Sequence, residues 1–433
     1  MFSLVVFFNK AFAMFSEIEV NRGNSYLKQK FSEYYRDNFE KNPFPSSIDR
    51  REFGFISFRE RMMIRHKGFT NSREFKNFMN VFTPSDIYYS AAYYEKPEEA
   101  MEKKGWLGAD LIFDIDADHL STPCKSEHDY WICENCQNTG RGTQPEKCPK
   151  CSGNKFKNEA WLCETCLDTA KTETLKLIDF IIKDFGFSAN EVESCFSGHR
   201  GYHVHIEKES VRQLNQAARK EIVDYITGTG LNVEFHGLNE ITEKRTHEII
   251  GPRSDDSGWD GRIARGVYES LGTSSTQQIE QIEGINKSEI KILTSNKDNI
   301  LEGWYKNKQP WNINKKISLE TWEKLAYHGA KKQTSSIDTV VTTDIHRLIR
   351  MPSTLHGKTG LKAVSIPLDK LKDFDPFTEA IAFNKGSVRV YINEAYKFRL
   401  GNNTFGPYNR QIEELPMAAA IYLLCKKAAK LVD

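Results

Sequence analysis

Ala-Asp-Leu-Ile-Phe-Asp-Ile-Asp-Ala-Asp, residues 109–118, is the part of the sequence around which the chain is organised. It is typical of a buried β-strand in which acidic residues interrupt an apolar run. Because side chains two residues apart leave a strand on the same face, we expect Asp114 and Asp116 to point together, with Phe113 and Ile115 on the opposite face. Adjacent carboxylates repel each other unless a cation lies between them, and their oxygens suit Mg²⁺ or Mn²⁺. The stretch therefore predicts half of a metal site; the alternative is a strand end where the acids only meet solvent or cap the next helix.

The length and charge of the chain limit the classes of function. The 433 residues predict two or three domains, or one large domain with insertions. With 60 basic and 59 acidic residues the net charge is +1, so no global field attracts the protein to DNA or to a membrane. Any contact with nucleic acid then needs a local basic surface. The apolar segment at the N-terminus lacks basic residues at its start and is too short to span a bilayer. We therefore interpret residues 1–20 as an extra leader, with Met14 as an alternative start, rather than as a signal peptide.

The nine cysteines point to zinc. Six of them form three C-x-x-C pairs, a spacing that favours metal binding in a reducing, cytoplasmic setting over a disulfide framework. The spacing predicts one Zn²⁺ site from Cys133, Cys136, Cys148 and Cys151. A second site can be built from Cys124, His128, Cys163 and Cys166. Neither set shows an open position or a nearby catalytic acid motif, so we expect one or two structural Zn²⁺ ions, with Cys195 and Cys425 as buried core thiols.

Hydrophobic periodicity gives a coarse order of elements. We expect helices at 24–40, 83–102, 168–185, 211–226 and 415–432, and strands at 51–58, 62–66, 109–118, 192–196, 202–206, from 337, 361–367 and 388–392. Residues 121–167 have few aliphatic side chains and need metal to fold. Residues 228–336 are polar and predict a mainly helical insertion.

A second motif, Ser-Gly-His-Arg-Gly-Tyr-His at 197–203, lies between two predicted strands. Its glycines allow backbone N–H groups to approach a phosphate, Arg200 can bind two oxygens at once, and Ser197 can donate its hydroxyl. His203 and His205 alternate along the outgoing strand and should share one face. The alternative is an ordinary hairpin whose histidines are packed.

A third motif combines acids with basic residues and a Gly-Lys-Thr-Gly turn at 357–360. This mixture suits a metal-bound triphosphate, and the alternative is a solvated loop. The glycine spacing of a P-loop is missing, which excludes a Walker-type NTPase. The residues concerned are Asp338, Asp344, Arg347, Arg350, His356 and Lys358.

Together these three segments resemble, in order, the signature motifs of the archaeo-eukaryotic primase family, and specifically the catalytic (small) subunit of DNA primase in its archaeal branch. Arg-Glu-Phe-Gly-Phe at 51–55 and Arg-His-Lys-Gly-Phe at 65–69 are also similar to the N-terminal region of that family. The resemblance runs from about residue 51 to residue 390. It implies an α+β fold: the archaeo-eukaryotic primase catalytic core with a zinc-binding insertion and a partly helical subdomain. The corresponding segments are 21–120, 168–227 and 337–433 for the core, 121–167 for the zinc module and 228–336 for the helical insertion.

The resemblance also implies roles for individual residues. It makes Asp114, Asp116 and Asp338 the catalytic Mg²⁺ or Mn²⁺ ligands, although Asp344 remains an alternative third acid. It places Ser197, His199, Arg200, His203, Arg350 and His356 around the triphosphate of the nucleotide. The zinc site of the family most resembles Cys124, His128, Cys163 and Cys166, with the Cys133–Cys151 set as an added module. Asp110 and Asp118 share the face of the catalytic pair by parity, and we expect them to be the solvated ends of the strand.

The function implied is that of a DNA-directed primase, an RNA-polymerase-type nucleotidyltransferase that makes short primers on single-stranded DNA from NTPs, or from dNTPs. Its expected partners are the DNA template, nucleoside triphosphates and a primase large subunit, without a membrane. Two alternatives remain: a primase-like repair or bypass polymerase that only extends existing primers, and a non-catalytic zinc-ribbon protein that binds nucleic acid.

Overall fold

The computed structural model describes residues 22–38, 44–58, 62–243, 246–273, 275–307, 310–312 and 316–432. The predicted leader at 1–20 lies outside them. The helices are α1 (22–38), α2 (Ser72–Phe82), α3 (Lys125–His128), α4 (Glu164–Lys183), α5 (Glu209–Arg212), α6 (Gln216–Thr227), α7 (Gly258–Thr273), α8 (Thr276–Glu280), α9 (Lys287–Ser295), α10 (Lys297–Asn307), α11 (Leu319–Gln333), α12 (Thr339–Thr343), α13 (Pro376–Glu379) and α14 (Met417–Cys425). In the part of the chain described, none of them is long and apolar enough to cross a bilayer.

The strands pair in antiparallel ladders, and the predicted α+β class is confirmed. They are β1 (Phe53–Ile56), β2 (Met63–Lys67), β3 (Asp86–Ser90), β4 (Ala92–Tyr94), β5 (Trp106–Ala109), β6 (Leu111–Asp116), β7 (Tyr130–Cys133), β8 (Thr139–Arg141), β9 (Phe156–Glu159), β10 (Val192–Phe196), β11 (Gly201–Ile206), β12 (Asn239–Glu243), β13 (Thr246–Ile250), β14 (Leu348–Arg350), β15 (Val364–Ile366), β16 (Ser387–Ala395), β17 (Phe398–Leu400), β18 (Asn403–Phe405), β19 (Tyr408–Pro416) and β20 (Ala429–Leu431).

The chain forms two compact units. Unit 1 contains the described residues of Met1–Thr174, Asn190–Arg219 and Asp338–Asp433. Unit 2 contains Leu175–Ala189 and Lys220–Ile337, which include the predicted helical insertion.

One four-stranded sheet of unit 1 has the order β14-β3-β1-β2, and its core is aromatic. Phe53 and Phe55 alternate with Gly54 along β1 and are fully buried on one face. Phe75, from α2, lies 5.1 Å from the Phe53 ring centroid, and Phe78 lies 4.9 Å from that of Phe55. The predicted early strand pair, β1 with β2, is confirmed.

The second four-stranded sheet of unit 1, in the order β15-β10-β11-β6, carries the acid pair. Phe113 and Ile115 are 0% and 1% exposed, whereas Asp114 and Asp116 are partly exposed. The alternation predicted for residues 109–118 is therefore confirmed for Phe113–Asp116, whereas the strand ends at Asp116 and residues 117–119 form a 3-10 helix. In the ladder between β6 and β11, His203 is opposite Asp114 and Gly201 is opposite Asp116, so the second motif lies beside the first.

Unit 2 is built around two closely packed helices, α7 and α11. A Cβ atom on Gly266 would lie 2.4 Å from the carbonyl oxygen of Gly329, so the two backbones touch at a point that only glycine permits. Arg262 of α7 is buried and ion-paired with Asp184 at 2.7 Å. Indole rings from Trp304, Trp311 and Trp322 fill the core beside these helices.

Three predicted elements are wrong. Residues 83–102 form strands β3 and β4 instead of a helix, because β3 pairs with both β1 and β14. The strand expected from residue 337 is the short helix α12, since the Asp338 carboxylate accepts hydrogen bonds from the N–H groups of Val340 and Val341. The final helix ends at Cys425, where Lys427 adopts a positive φ of 58° and the chain turns back into β20.

The expectation for Asp110 is also wrong. Its carboxylate is buried rather than solvated, with Arg51 at 2.8 Å and the Tyr93 hydroxyl donating a hydrogen bond of 2.8 Å. Asp118 at the other end of the stretch is 43% exposed and lies 3.1 Å from Arg200.

Candidate active site

Asp114 and Asp116 lie at the end of β6 in a setting that disfavours their negative charge. Burial, reinforced by the charge of Asp338, raises the pKa of Asp114 to about 6. Burial and the neighbouring Asp118 raise the pKa of Asp116 to about 6 as well. Two carboxylates on the same face of a partly buried strand end suit a hard divalent cation.

Asp338 joins this pair through the backbone. Its N–H donates a 2.8 Å hydrogen bond to the carbonyl of Asp114, which anchors the first turn of α12 against β6. Asp344, at the other end of α12, instead accepts a hydrogen bond from the N–H of His346. The structure therefore places Asp338, rather than Asp344, next to the pair.

His203, on β11, faces the carboxylate of Asp114. Its Nε2 atom lies 3.5 Å from Oδ1 of Asp114. Burial, with the charges of Arg350 and Arg347, lowers the pKa of His203 to about 3, so its ring is neutral at physiological pH. His205, two residues further, faces Tyr89, with Nδ1 3.4 Å from the hydroxyl oxygen.

The turn at 197–201 is tight and internally bonded. The N–H of Ser197 donates to the carbonyl of Gly201, and the Ser197 hydroxyl oxygen accepts from the N–H groups of His199 and Gly201. Among the residues that the structure describes, the hydroxyl hydrogen has no acceptor and is available to a ligand. Gly198 has φ +82°, and a Cβ there would lie 3.0 Å from the Cβ of His356, so a side chain at 198 would be strained.

The second and third motifs meet at two stacked imidazoles. The rings of His199 and His356 lie 4.9 Å apart and within 13° of parallel. Burial, with the charges of Arg350 and Lys358, keeps the pKa of His356 well below its usual range, so its ring is neutral at physiological pH. Because the N–H of Lys358 donates to its Nδ1 atom, the ring proton belongs on Nε2, where it can be donated to a ligand. The Thr359 hydroxyl, at 2.5 Å from the Gly198 carbonyl, fastens the two turns together.

Arg350 is buried, and its guanidinium is bound by residues of β3. Its guanidinium lies 2.8 Å from Asp86 and donates a 2.7 Å hydrogen bond to the Tyr88 hydroxyl. Asp86 also accepts from the N–H of Gly357, so a single carboxylate fixes both Arg350 and the third-motif turn.

Two sets of cysteine and histidine atoms have the geometry of zinc sites. In each set the four ligand atoms all lie within 4.8 Å of one another; the sets are Cys124, His128, Cys163 and Cys166, and Cys133, Cys136, Cys148 and Cys151. Sulfur pairs within them are 3.5–3.7 Å apart. A tetrahedron with Zn–S bonds of about 2.3 Å requires about 3.8 Å, whereas a disulfide requires about 2.05 Å. Both sets can therefore bind Zn²⁺ with four protein ligands, the pattern of structural sites.

The first of these sets is connected directly to the acid strand. Asp129 lies 2.7 Å from Nδ1 of His128, which leaves Nε2 facing Cys166 at 3.6 Å. The same carboxylate binds Arg200 at 2.9 Å through both oxygens, and Arg200 also donates to the Cys166 sulfur. Since the Arg200 carbonyl accepts from the N–H of Ala117, Arg200 links the zinc ligands to the residue after Asp116.

Sequence reasoning missed Asp86 and Asp129. Asp86 lies within the predicted helix at 83–102, and Asp129 is not among the predicted site residues although it follows His128 directly. A carboxylate adjacent to a candidate zinc-binding histidine is a usable signal, because such histidines commonly donate their second N–H to a carboxylate. Asp86 carries no comparable signal.

Two kinds of comparison with known proteins bear on the identity of this site. A family model described as DNA primase small subunit matches residues 145–369. The DNA primase small subunit PriS of Methanococcoides burtonii is 33% identical over 420 residues, covering 94% of this chain and 97% of that protein. PriS of Nitrosopumilus maritimus is 31% identical over 404 residues, covering 93% and 97%. Because this sequence identity extends over nearly the whole of each chain, the protein belongs to the DNA primase small subunit family.

Proposed function

We propose that this chain makes short primers on single-stranded DNA by transferring nucleotidyl groups from NTPs, as a DNA-directed primase of the RNA polymerase type. The observation that carries the proposal is the meeting of three remote segments: Asp338 bonds to the backbone of Asp114, and His203 faces the same carboxylate. The family to which the chain belongs supports this reading.

Asp114, Asp116 and Asp338 are proposed to hold Mg²⁺ or Mn²⁺. Among the described residues, no Lys or Arg nitrogen lies within 4.0 Å of these three carboxylates, so their charge is left for a cation. When bound, such an ion lowers the pKa of an attacking hydroxyl and offsets charge on a departing pyrophosphate.

The remaining residues of the site are proposed to position the nucleotide. Ser197 has a hydroxyl hydrogen to donate, and His356 presents its Nε2 proton beside the stacked ring of His199. Neutral His203 can donate to a phosphate oxygen without adding charge next to Asp114. Positioning and electrostatic stabilisation account for most of the rate enhancement in this class of chemistry.

Arg200 and Arg350 are proposed to act in the same nucleotide site, although both are bound to protein carboxylates. The Nε atom of Arg200 is buried and has no hydrogen-bond partner within the described part of the chain. The two arginines also supply positive charge behind the bound nucleotide.

The partners proposed are a single-stranded DNA template and a primase large subunit, as the small-subunit family implies. A cytoplasmic location is proposed on the two sets of thiol ligands, which suit a reducing compartment.

The test is synthesis on unprimed single-stranded DNA with labelled NTPs and Mg²⁺ or Mn²⁺. We expect short products from the wild-type protein and none from the D114A/D116A variant, while D168N, at a residue with a 74% exposed side chain, retains activity. Products that appear only with a pre-annealed primer would support an extension polymerase instead. DNA binding without synthesis under any of these conditions would support a non-catalytic zinc-ribbon protein.

A further inference from the structure

A cavity of about 420 Å³ opens beside the His199 ring in unit 1. Four lysines contribute to its wall: Lys157, Lys358, Lys426 and Lys427. Lys426 belongs to none of the three motifs, since it directly follows α14 near the end of the chain.

The cavity has more positive than negative charge. Its two acids are already paired, Glu159 with Lys157 at 2.7 Å and Asp118 with Arg200 at 3.1 Å. Within the described residues, no carboxylate oxygen lies within 4.0 Å of the ammonium nitrogen of Lys358 or Lys426. The wall therefore presents ammonium groups whose charge the protein leaves unbalanced, a setting that favours an anion.

Lys426 is held in place at this wall. Its ammonium group donates to the carbonyl of Ala160 and lies 5.6 Å from the ring centroid of Trp161. An ammonium group has three N–H donors, and the Ala160 bond uses one of them. Burial lowers the pKa of Lys426 to about 8, with Lys358 and Arg200 adding to the effect and Glu159 opposing it. A buried cation short of counter-charge is stabilised by an arriving anion.

The cavity is continuous with the nucleotide residues. His199 lines it and stacks on His356. Lys358 and Lys426 line the same cavity as this ring. Burial lowers the pKa of His199 well below its usual range, and the charges of His356, Lys426 and Lys358 act in the same direction.

We propose that Lys426 is a further phosphate-binding residue of the nucleotide site, and that the cavity receives the terminal phosphates of the incoming nucleoside triphosphate. This inference rests on the proposed function, and it deepens it by extending the site to a residue outside the motifs. The predicted recognition is of the polyphosphate, so a nucleoside monophosphate should not depend on Lys426.

The test is equilibrium binding of ATP and of AMP in the presence of Mg²⁺, by isothermal titration calorimetry, to wild type and K426Q. We expect K426Q to bind ATP about tenfold more weakly or worse, because a hydrogen bond to a charged group is lost, and AMP with unchanged affinity. K426R should retain most of the ATP affinity. The matched control is K372Q, at an exposed lysine of unit 1, which should change neither.

Unchanged ATP binding by K426Q would overturn the inference. Equal weakening of ATP and AMP would also overturn it, because Lys426 would then act on the fold through Ala160 and Trp161. Failure of the proposed function would be a separate result. If the wild-type protein makes no primer but K426Q loses affinity for ATP alone, the phosphate cavity is supported and primer synthesis is rejected.

Discussion

The N–H of Asp338 donates a hydrogen bond to the carbonyl of Asp114 at 2.8 Å, which fixes the third-motif acid to the strand of the first motif. Asp344, at the far end of the same short helix, bonds to His346 instead. Of the two acids, only Asp338 is positioned by the backbone of β6.

This difference predicts opposite results for two isosteric changes. D338N should reduce primer synthesis more than about 100-fold, since a direct metal ligand should matter more than an outer-shell partner, whose loss costs about 10–100-fold. D344N should retain activity to within a few-fold. Steady-state rates on a single-stranded template at saturating Mn²⁺ measure both, and equal losses in the two variants would contradict the assignment of Asp338.

Asp129 predicts a link between zinc binding and stability. D129N removes one of the two carboxylates that face the fully buried Arg200, leaving Asp118 at 3.1 Å, and it deprives His128 of its orienting carboxylate. We expect the free energy of unfolding to fall by about 1–3 kcal/mol, because hydrogen bonds to a buried charge are lost while Asp118 remains beside Arg200. The affinity of this site for Zn²⁺ should fall about 10–100-fold. Denaturant titration and competition with a zinc chelator measure these effects. D168N is the exposed control, and a D129N protein as stable as D168N would refute the link.

The two thiol sets predict two Zn²⁺ ions per chain. C148S should lower the zinc content from two to one, because it removes one of four ligands from the set that holds Cys133, Cys136 and Cys151. C195A, at a buried thiol outside both sets, should keep two. Mass spectrometry of the metal content decides the matter, and one Zn²⁺ in the wild-type protein would disprove the second site.

Lys426 predicts a pH dependence of stability. In the folded protein its pKa is about 8, below the ordinary value of 10.5, so between these pH values the unfolded chain binds a proton that the folded chain has lost. The free energy of unfolding of the wild type relative to K426M should therefore rise by about 2–3 kcal/mol between pH 8 and 10.5 and stay constant between pH 6 and 7. The groups facing this amine are Glu159, Lys358, Arg200 and Asp118. Parallel stability curves for the two proteins would refute the shift.

Two glycines of α7 predict effects of opposite sign. G266A places a Cβ atom 2.4 Å from the Gly329 carbonyl oxygen and should destabilise unit 2 by about 1–3 kcal/mol. G272A, near the exposed end of the same helix, meets no atom within 4 Å and should stabilise it by up to about 1 kcal/mol. Thermal unfolding of the two variants provides the comparison, and a stabilised G266A would contradict the close packing of α7 and α11.

The sequence predicted contacts between residues that are close in the chain better than contacts between residues that are far apart in it. The shared face of Asp114 and Asp116 follows from the two-residue period of a strand, and the two zinc sets follow from short spacings. Residues 86–90 lie in a predicted helix but form a strand, because they pair with β1 and β14, which lie elsewhere in the chain. Asp110 was misplaced for the same reason: its partner Arg51 is distant in the chain.

Strand β14 has a consequence for synthesis of the chain. It completes the edge of the first sheet by pairing with β3, yet residues 348–350 follow all of Lys220–Ile337. On the ribosome, β3 is made long before its partner and keeps an unpaired edge while unit 2 emerges. Unit 2 can therefore complete its fold first, and the sheet that holds Arg350 against Asp86 closes only after the helical segment has been made.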